Sequence, residues 1–112
     1  MPTVLEFLLL QFQRPGSESL WPVAVLLFDP SNDKLLICGR EEYASIADAD
    51  DAQILAGTVK QLQEDATVGS GGAILAMLES SLSGSVRLTE RISLRSRDPA
   101  ATLDSLSTAF LS

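Results

Sequence analysis

The sequence contains no histidine and only one cysteine. Without an imidazole, Ser-His-Asp and Cys-His catalysis, imidazole general-base schemes and His-containing zinc sites are all excluded. A histidine-type pH switch goes with them, because histidine alone has an ordinary side-chain pKa between pH 5 and 8. Cys38 has no intramolecular disulfide partner. Small secreted domains usually carry several bridges, so a lone thiol points to a reducing, cytoplasmic setting. Bases are also few, eight against fifteen acids, for a net charge of −7. That balance disfavours broad attraction to nucleic-acid backbones or anionic membranes. A long hydrophobic run is missing too. The apolar stretch 1–10 contains Glu6, lacks a basic lead and meets Gln11 and Gln13 at once, so it reads as a buried strand and not as a signal or membrane segment.

What is present suits one folded domain. The 112 residues are 46% hydrophobic, enough apolar surface to offset the entropy of ordering without disulfides or metals. Residues 3–13 lack clean alternation, as in a strand covered on both faces. A turn at 14–19 leads into a second apolar run, 21–28, with Pro22 near its start. Residues 29–34 form a turn before a third strand at 35–38, making a hairpin. From Ala47 to Asp65 the period becomes helical, with Leu55, Val59, Leu62 and Ala66 on one stripe. Asp48, Asp50 and Asp51 complement the positive end of the helix dipole, and Gly69 marks the stop. A Gly69-Ser70-Gly71-Gly72 link then opens a second helix with Ile74, Leu75, Leu78 and Leu82 on its apolar face, closed by Ser83-Gly84-Ser85. Asp98-Pro99 supplies an N-cap and first position for a last helix bearing Leu103, Leu106 and Phe110.

Between the second and last helices, residues 86–97 alternate. Val86, Leu88, Ile92 and Leu94 fall on one side, and Arg87, Thr89, Arg91, Ser93, Arg95 and Arg97 on the other. This predicts one strand with a wet, cationic face; Glu90 falls on the apolar side, so either a bulge interrupts the ladder there or its carboxylate reaches the sheet edge. The order is β-β-β-α-α-β-α, an α+β two-layer sandwich with a mainly antiparallel four-stranded sheet and helices mostly on one face.

Each candidate for chemistry has an ordinary explanation beside it. Cys38 next to Arg40 has the setting of an activated thiol, but free cysteine is commonly a small buried hydrophobe. The acids Glu41, Glu42, Asp48, Asp50 and Asp51 match no EF-hand or nucleotide-metal spacing, and a helix start accounts for them. Residues 69–72 have the glycines of an anion cradle but follow a helix and lack a Lys-Ser/Thr pair. The arginine row is the most informative feature: same-side neighbours about 6 to 7 Å apart suit an acidic partner or several phosphates, while the ordinary reading has them neutralising the domain's own acids. No aromatic stacking residue interrupts the row, which argues against a sheet-type nucleic-acid reader. Trp21 and Tyr43 stand at loop or strand-edge positions, as interface anchors or as lids on the core.

Two resemblances follow from particular segments. Pro22 to Asp29 with Lys34 to Ile37 resembles the opening hairpin of Nudix hydrolases, but Gly39-Arg40-Glu41-Glu42 carries only a fragment of that family's glutamate helix and lacks its spacing and second acidic pair, so Nudix activity is rejected. Arg14, Pro15, Gly16 and Glu18 followed by Val23 to Asp29, together with Asp98-Pro99 and the leucine-bearing last helix, resemble a family of small uncharacterised bacterial proteins, which implies no particular activity. The expectation is therefore a small non-enzymatic interaction module, with a protein partner or a second copy meeting Arg87, Arg91, Arg95, Arg97, Trp21 or Tyr43. A small-anion or phosphometabolite binder using the same arginines is the alternative. No cofactor and no metal are implied.

Overall fold

A computed structural model of the chain describes residues 2–81 and 85–111. Leu82 of the expected second-helix face, and Ser83 and Gly84 of its expected terminator, lie outside the described residues. Three long or medium strands come first: β1 (Thr3–Gln13), β2 (Leu20–Asp29) and β3 (Lys34–Gly39). Helices α1 (Ala49–Val68) and α2 (Gly71–Ser81) follow, then short strands β4 (Val86–Leu88) and β5 (Ile92–Ser96), and finally α3 (Pro99–Leu111). The sheet is antiparallel throughout, in the order β3-β2-β1, with β4 and β5 both on the outer side of β1. The α+β class holds.

The central position of β1 explains its unbroken hydrophobicity. Leu8, Leu10 and Phe12 point to one face and join Leu55, Val59 and Leu62 of α1 and Ile74, Leu75 and Leu78 of α2. Leu5, Phe7 and Leu9 point to the other face and pack with Val25 and Leu27 against Leu103, Leu106 and Leu111 of α3. Helices thus flank both faces, two against one. Leu5 and Leu8 are wholly excluded from solvent, and each such side chain contributes about 1.5–3 kcal/mol by leaving water. α3 is a thinner cover, with no fully buried residue of its own.

The helix ends follow local chemistry. The Asp48 carboxylate accepts the N–H of Asp51 at 2.8 Å, an N-cap that satisfies one orphan donor. Gly69 closes α1 by donating to the carbonyl of Asp65. Asp98 caps α3 by accepting from Ala101 at 3.2 Å, with Pro99 at the first helical position.

Two irregularities shape the sheet. Leu10 pairs with Ala24 but Gln11 with Pro22, leaving Val23 as an extra residue in β2. Pro22 has no N–H to offer a ladder, which suits it to a bulge. The second irregularity lies where one strand over 86–97 is expected. Leu88 stands opposite Leu10 and Ile92 opposite Phe7, so three residues, Thr89 to Arg91, face only Leu9 and Leu8. The ladder survives through Thr89, which donates its N–H to the Leu9 carbonyl and accepts the Leu9 N–H on its hydroxyl at 2.8 Å.

Candidate interaction site

The extra residue between β4 and β5 reverses which side chains face which way. Before it, Val86 and Leu88 lie opposite Phe12 and Leu10 and pack on the α1/α2 side. After it, Ile92 and Leu94 lie opposite Phe7 and Leu5, on the α3 side. The arginines are divided in the same way. Arg87, opposite Gln11, emerges on the α3 side, and Arg95, opposite Val4, on the α1/α2 side. The expected single cationic face is therefore corrected: strict alternation cannot pass through a bulge without changing sides.

Arg91 sits in the bulge itself and is engaged within the chain. Its guanidinium meets the Glu79 carboxylate of α2 at 2.6 Å and Glu6 of β1 at 3.2 Å, and lies 5.9 Å from the centre of the Phe28 ring. The bond to Arg91 holds the Glu79 carboxyl below its ordinary value of 4.5, with burial opposing it. For this arginine the neutralisation of internal acids is the observed role. Both ion pairs of the described residues involve it. Arg87, Arg95 and Arg97 are exposed and make no ion pair among the described residues.

The two aromatic candidates separate as well. Tyr43 is buried, 8% exposed, in the cluster that includes Val59 and Ile46. Its hydroxyl points to the Val23 carbonyl at 3.5 Å, and burial pushes its pKa above the usual 10. It lids the core and is not a free anchor. A Cβ on Gly39 would fall 2.7 Å from both the Tyr43 hydroxyl and Val59 Cγ1, so this close approach needs glycine. Trp21 stays 37% exposed, with the Arg14 guanidinium 5.4 Å from its ring centre. Arg14 in turn holds the carbonyls of Ser45 and Ile46, which ties the 14–21 turn to the loop before α1.

The glycine link does not present a vacant cradle. The Asp33 carboxylate accepts the N–H of Gly72 at 2.8 Å and its carbonyl accepts Gly71 N–H at 3.0 Å, while Ser70 Oγ takes the N–H of Ala73. The start of α2 already holds an anion, and that anion belongs to the protein. Nor is the Cys38–Arg40 pairing available as a reactive centre of the expected kind: Cys38 is half-buried in β3, and Arg40 spends its guanidinium on the Pro22 carbonyl at 2.8 Å. The acids Glu41, Glu42, Asp48, Asp50 and Asp51 do not converge; among the described residues no three His, Cys, Asp or Glu side chains are grouped to hold a metal. No helix of the described residues is long and apolar enough to cross a membrane.

What remains open is the outer side of β1. All three helices pack chiefly on β2 and β3. The outer strand β5 leaves Ile92 55% exposed, and Val4 on the adjoining β1 is 47% exposed. Beside its C-terminal end, a shallow hollow of about 420 Å³ is lined by Arg95, Arg97, Thr102 and Leu106. Among the described hydrogen bonds, none beyond the β1 ladder engages the backbone of Ile92 to Arg95. An edge strand turns every second N–H and C=O outward, so this row is a template for further pairing. The charge cluster at 87–97 is legible in sequence; that it borders a free strand edge is not, since edge position depends on strand order.

Comparison with protein-family models, with curated proteins and with solved structures finds no match to this chain.

Proposed function

We propose that this protein is a small non-enzymatic interaction module that receives a protein partner at the outer edge formed by β5. The observation that carries this reading is the coincidence of an outer strand edge, an exposed Ile92 and Arg95 on β5, and an exposed Arg97 just beyond its end, neither arginine in an ion pair among the described residues. Monomeric surfaces expose isolated apolar residues routinely, but an apolar side chain flanked by unpaired guanidinium groups on a free edge combines area, direction and charge. Arg91 belongs to the scaffold of this edge through Glu6 and Glu79. Arg87, on β4, lies outside it.

A photo-crosslinking residue in place of Ser93, on the exposed side of β5, tests the reading in extract of the source cells. A discrete crosslinked protein is expected, and its yield drops at least about tenfold when Arg95→Glu and Arg97→Glu are combined. A control substitution at Glu64 on the outer side of α1 leaves the yield intact. Equal crosslinking with and without the two arginines overturns the proposal.

A further inference from the structure

We infer that the occupant of the β5 edge is an extended acidic segment of another protein, added as a further strand, with carboxylates on Arg95 and Arg97 and an apolar side chain against Ile92. This rests on the interaction reading above and specifies the partner's chemistry.

The first support is register. Side chains opposite one another in an antiparallel or parallel ladder share a face, and successive residues on one face are about 7 Å apart. Arg95 faces the α1/α2 side, while Ile92 and Leu94 face the α3 side; Arg97 lies just past the end of β5, where it borders a hollow together with Arg95, Asp98 and residues of α3. A matching strand therefore alternates acidic and apolar residues. The second support is charge. Within 85–97 the arginines outnumber the one acid, Glu90, and Arg91 is already neutralised by Glu6 and Glu79. Asp98 borders the same hollow but has its carboxylate on the Ala101 N–H, so Arg95 and Arg97 still leave a cationic excess at this edge, on a molecule that is otherwise acidic.

A second copy fits less well. The other edge strand, β3, carries Lys34 and no carboxylate, so it offers nothing to Arg95. Pairing two β5 strands with Leu94 on the dyad brings Arg91 and Arg97 of the two copies opposite each other, and shifting by one residue opposes Arg91 and Arg95. The bulge and the arginines also act selectively. Charged residues and bulges on an edge block indiscriminate pairing, and guarding with cations rejects neutral and basic strands while admitting an acidic one.

The probe is a labelled peptide of about eight residues alternating Glu and Val, titrated at low salt against the full chain, with amide shifts recorded by NMR. Binding is expected, with shifts centred on Ile92 to Ser96, at least about tenfold weakening by Arg95→Glu with Arg97→Glu, and similar weakening when alternate peptide nitrogens are methylated. A Lys/Val peptide does not bind. Shifts centred elsewhere, indifference to N-methylation, or a light-scattering mass showing that β5 is already occupied by a second copy overturns the inference. If the Glu/Val peptide fails while arginine-dependent crosslinking at position 93 persists, the acidic-strand inference falls and the interaction reading stands. If both fail, both fall.

Discussion

Asp33 and Gly72, thirty-nine positions apart, are joined by a 2.8 Å hydrogen bond from the helical N–H to the carboxylate. Asp33 has a positive φ of 52°, a left-handed turn conformation that aspartate tolerates better than most residues. The bonds from Ser70 and Gly72 hold its carboxyl below the ordinary value. The β2–β3 turn thus caps α2, and the same contact seats α2 on the end of the hairpin.

This docking needs glycine at position 71. A Cβ there would lie 2.6 Å from the Leu35 nitrogen and 2.8 Å from the Lys34 carbonyl carbon, both backbone atoms that cannot swing aside. Gly71→Ala is expected to cost about 1–3 kcal/mol by overpacking, although alanine is the better helix former. Gly57, on the exposed face of α1, has nothing within 4 Å of a built Cβ. Gly57→Ala is expected to stabilise by about 0.5–1 kcal/mol. Urea denaturation of the two variants reads opposite signs; two changes of the same sign contradict the docking account.

The Arg91–Glu79 bridge has a pH signature. Because Glu79 ionises more readily folded than unfolded, its contribution is complete above its ordinary value of 4.5 and disappears as pH falls through the lower folded value. Both side chains are more than a third exposed or close to it, so solvent screening keeps the contribution at about 1 kcal/mol or less. Glu79→Gln should melt below the parent at pH 7 and converge with it as pH falls through the lowered folded value, and added salt should narrow the pH 7 gap. Arg91→Met, which retains the stem over Phe28, should lose the same pH-dependent part. A gap independent of pH would assign the effect to packing.

Most elements are legible in the sequence because their determinants are local: the Asp98 cap, the acids at the start of α1, the Gly69 stop, the apolar stripes of α1 and α3, and the uninterrupted hydrophobic character of β1; that Asp48 is the cap and lies outside the helix is not, since neighbouring acids serve a helix start equally well. The arginine face is misread because alternation specifies a face only within an unbroken ladder. Glu90 on the apolar side hints at the bulge, but the consequence, that Leu88 and Leu94 pack against different cores, depends on both strands pairing with β1. Tyr43 stays open between anchor and lid in the sequence for a similar reason: no period links it to Gly39 and Val59, and only the fold brings them together. The Asp33 cap on Gly72 joins a turn to a helix across α1, a distance that no local pattern spans.

Tyr43 is the chain's one tyrosine, so its phenolate absorbance reports a single site. Burial disfavours the ionised form, and the folded protein should therefore titrate above the ordinary value of 10, with the midpoint returning to that value in urea. The sign for stability follows: the unfolded chain ionises first as pH rises past 10, so folding weakens there, and Tyr43→Phe should remove that part of the alkaline loss. At neutral pH the same substitution should change stability by less than about 1 kcal/mol, since the 3.5 Å contact to the Val23 carbonyl is a long hydrogen bond. Tyr43→Ala should instead cost about 3–5 kcal/mol by leaving a cavity beneath Gly39. Trp21→Ala, partly exposed under Arg14, should cost about 1 kcal/mol or less. A tyrosine that titrates normally in the folded protein, or an alanine variant as stable as the parent, would place Tyr43 on the surface and return it to the candidate anchors.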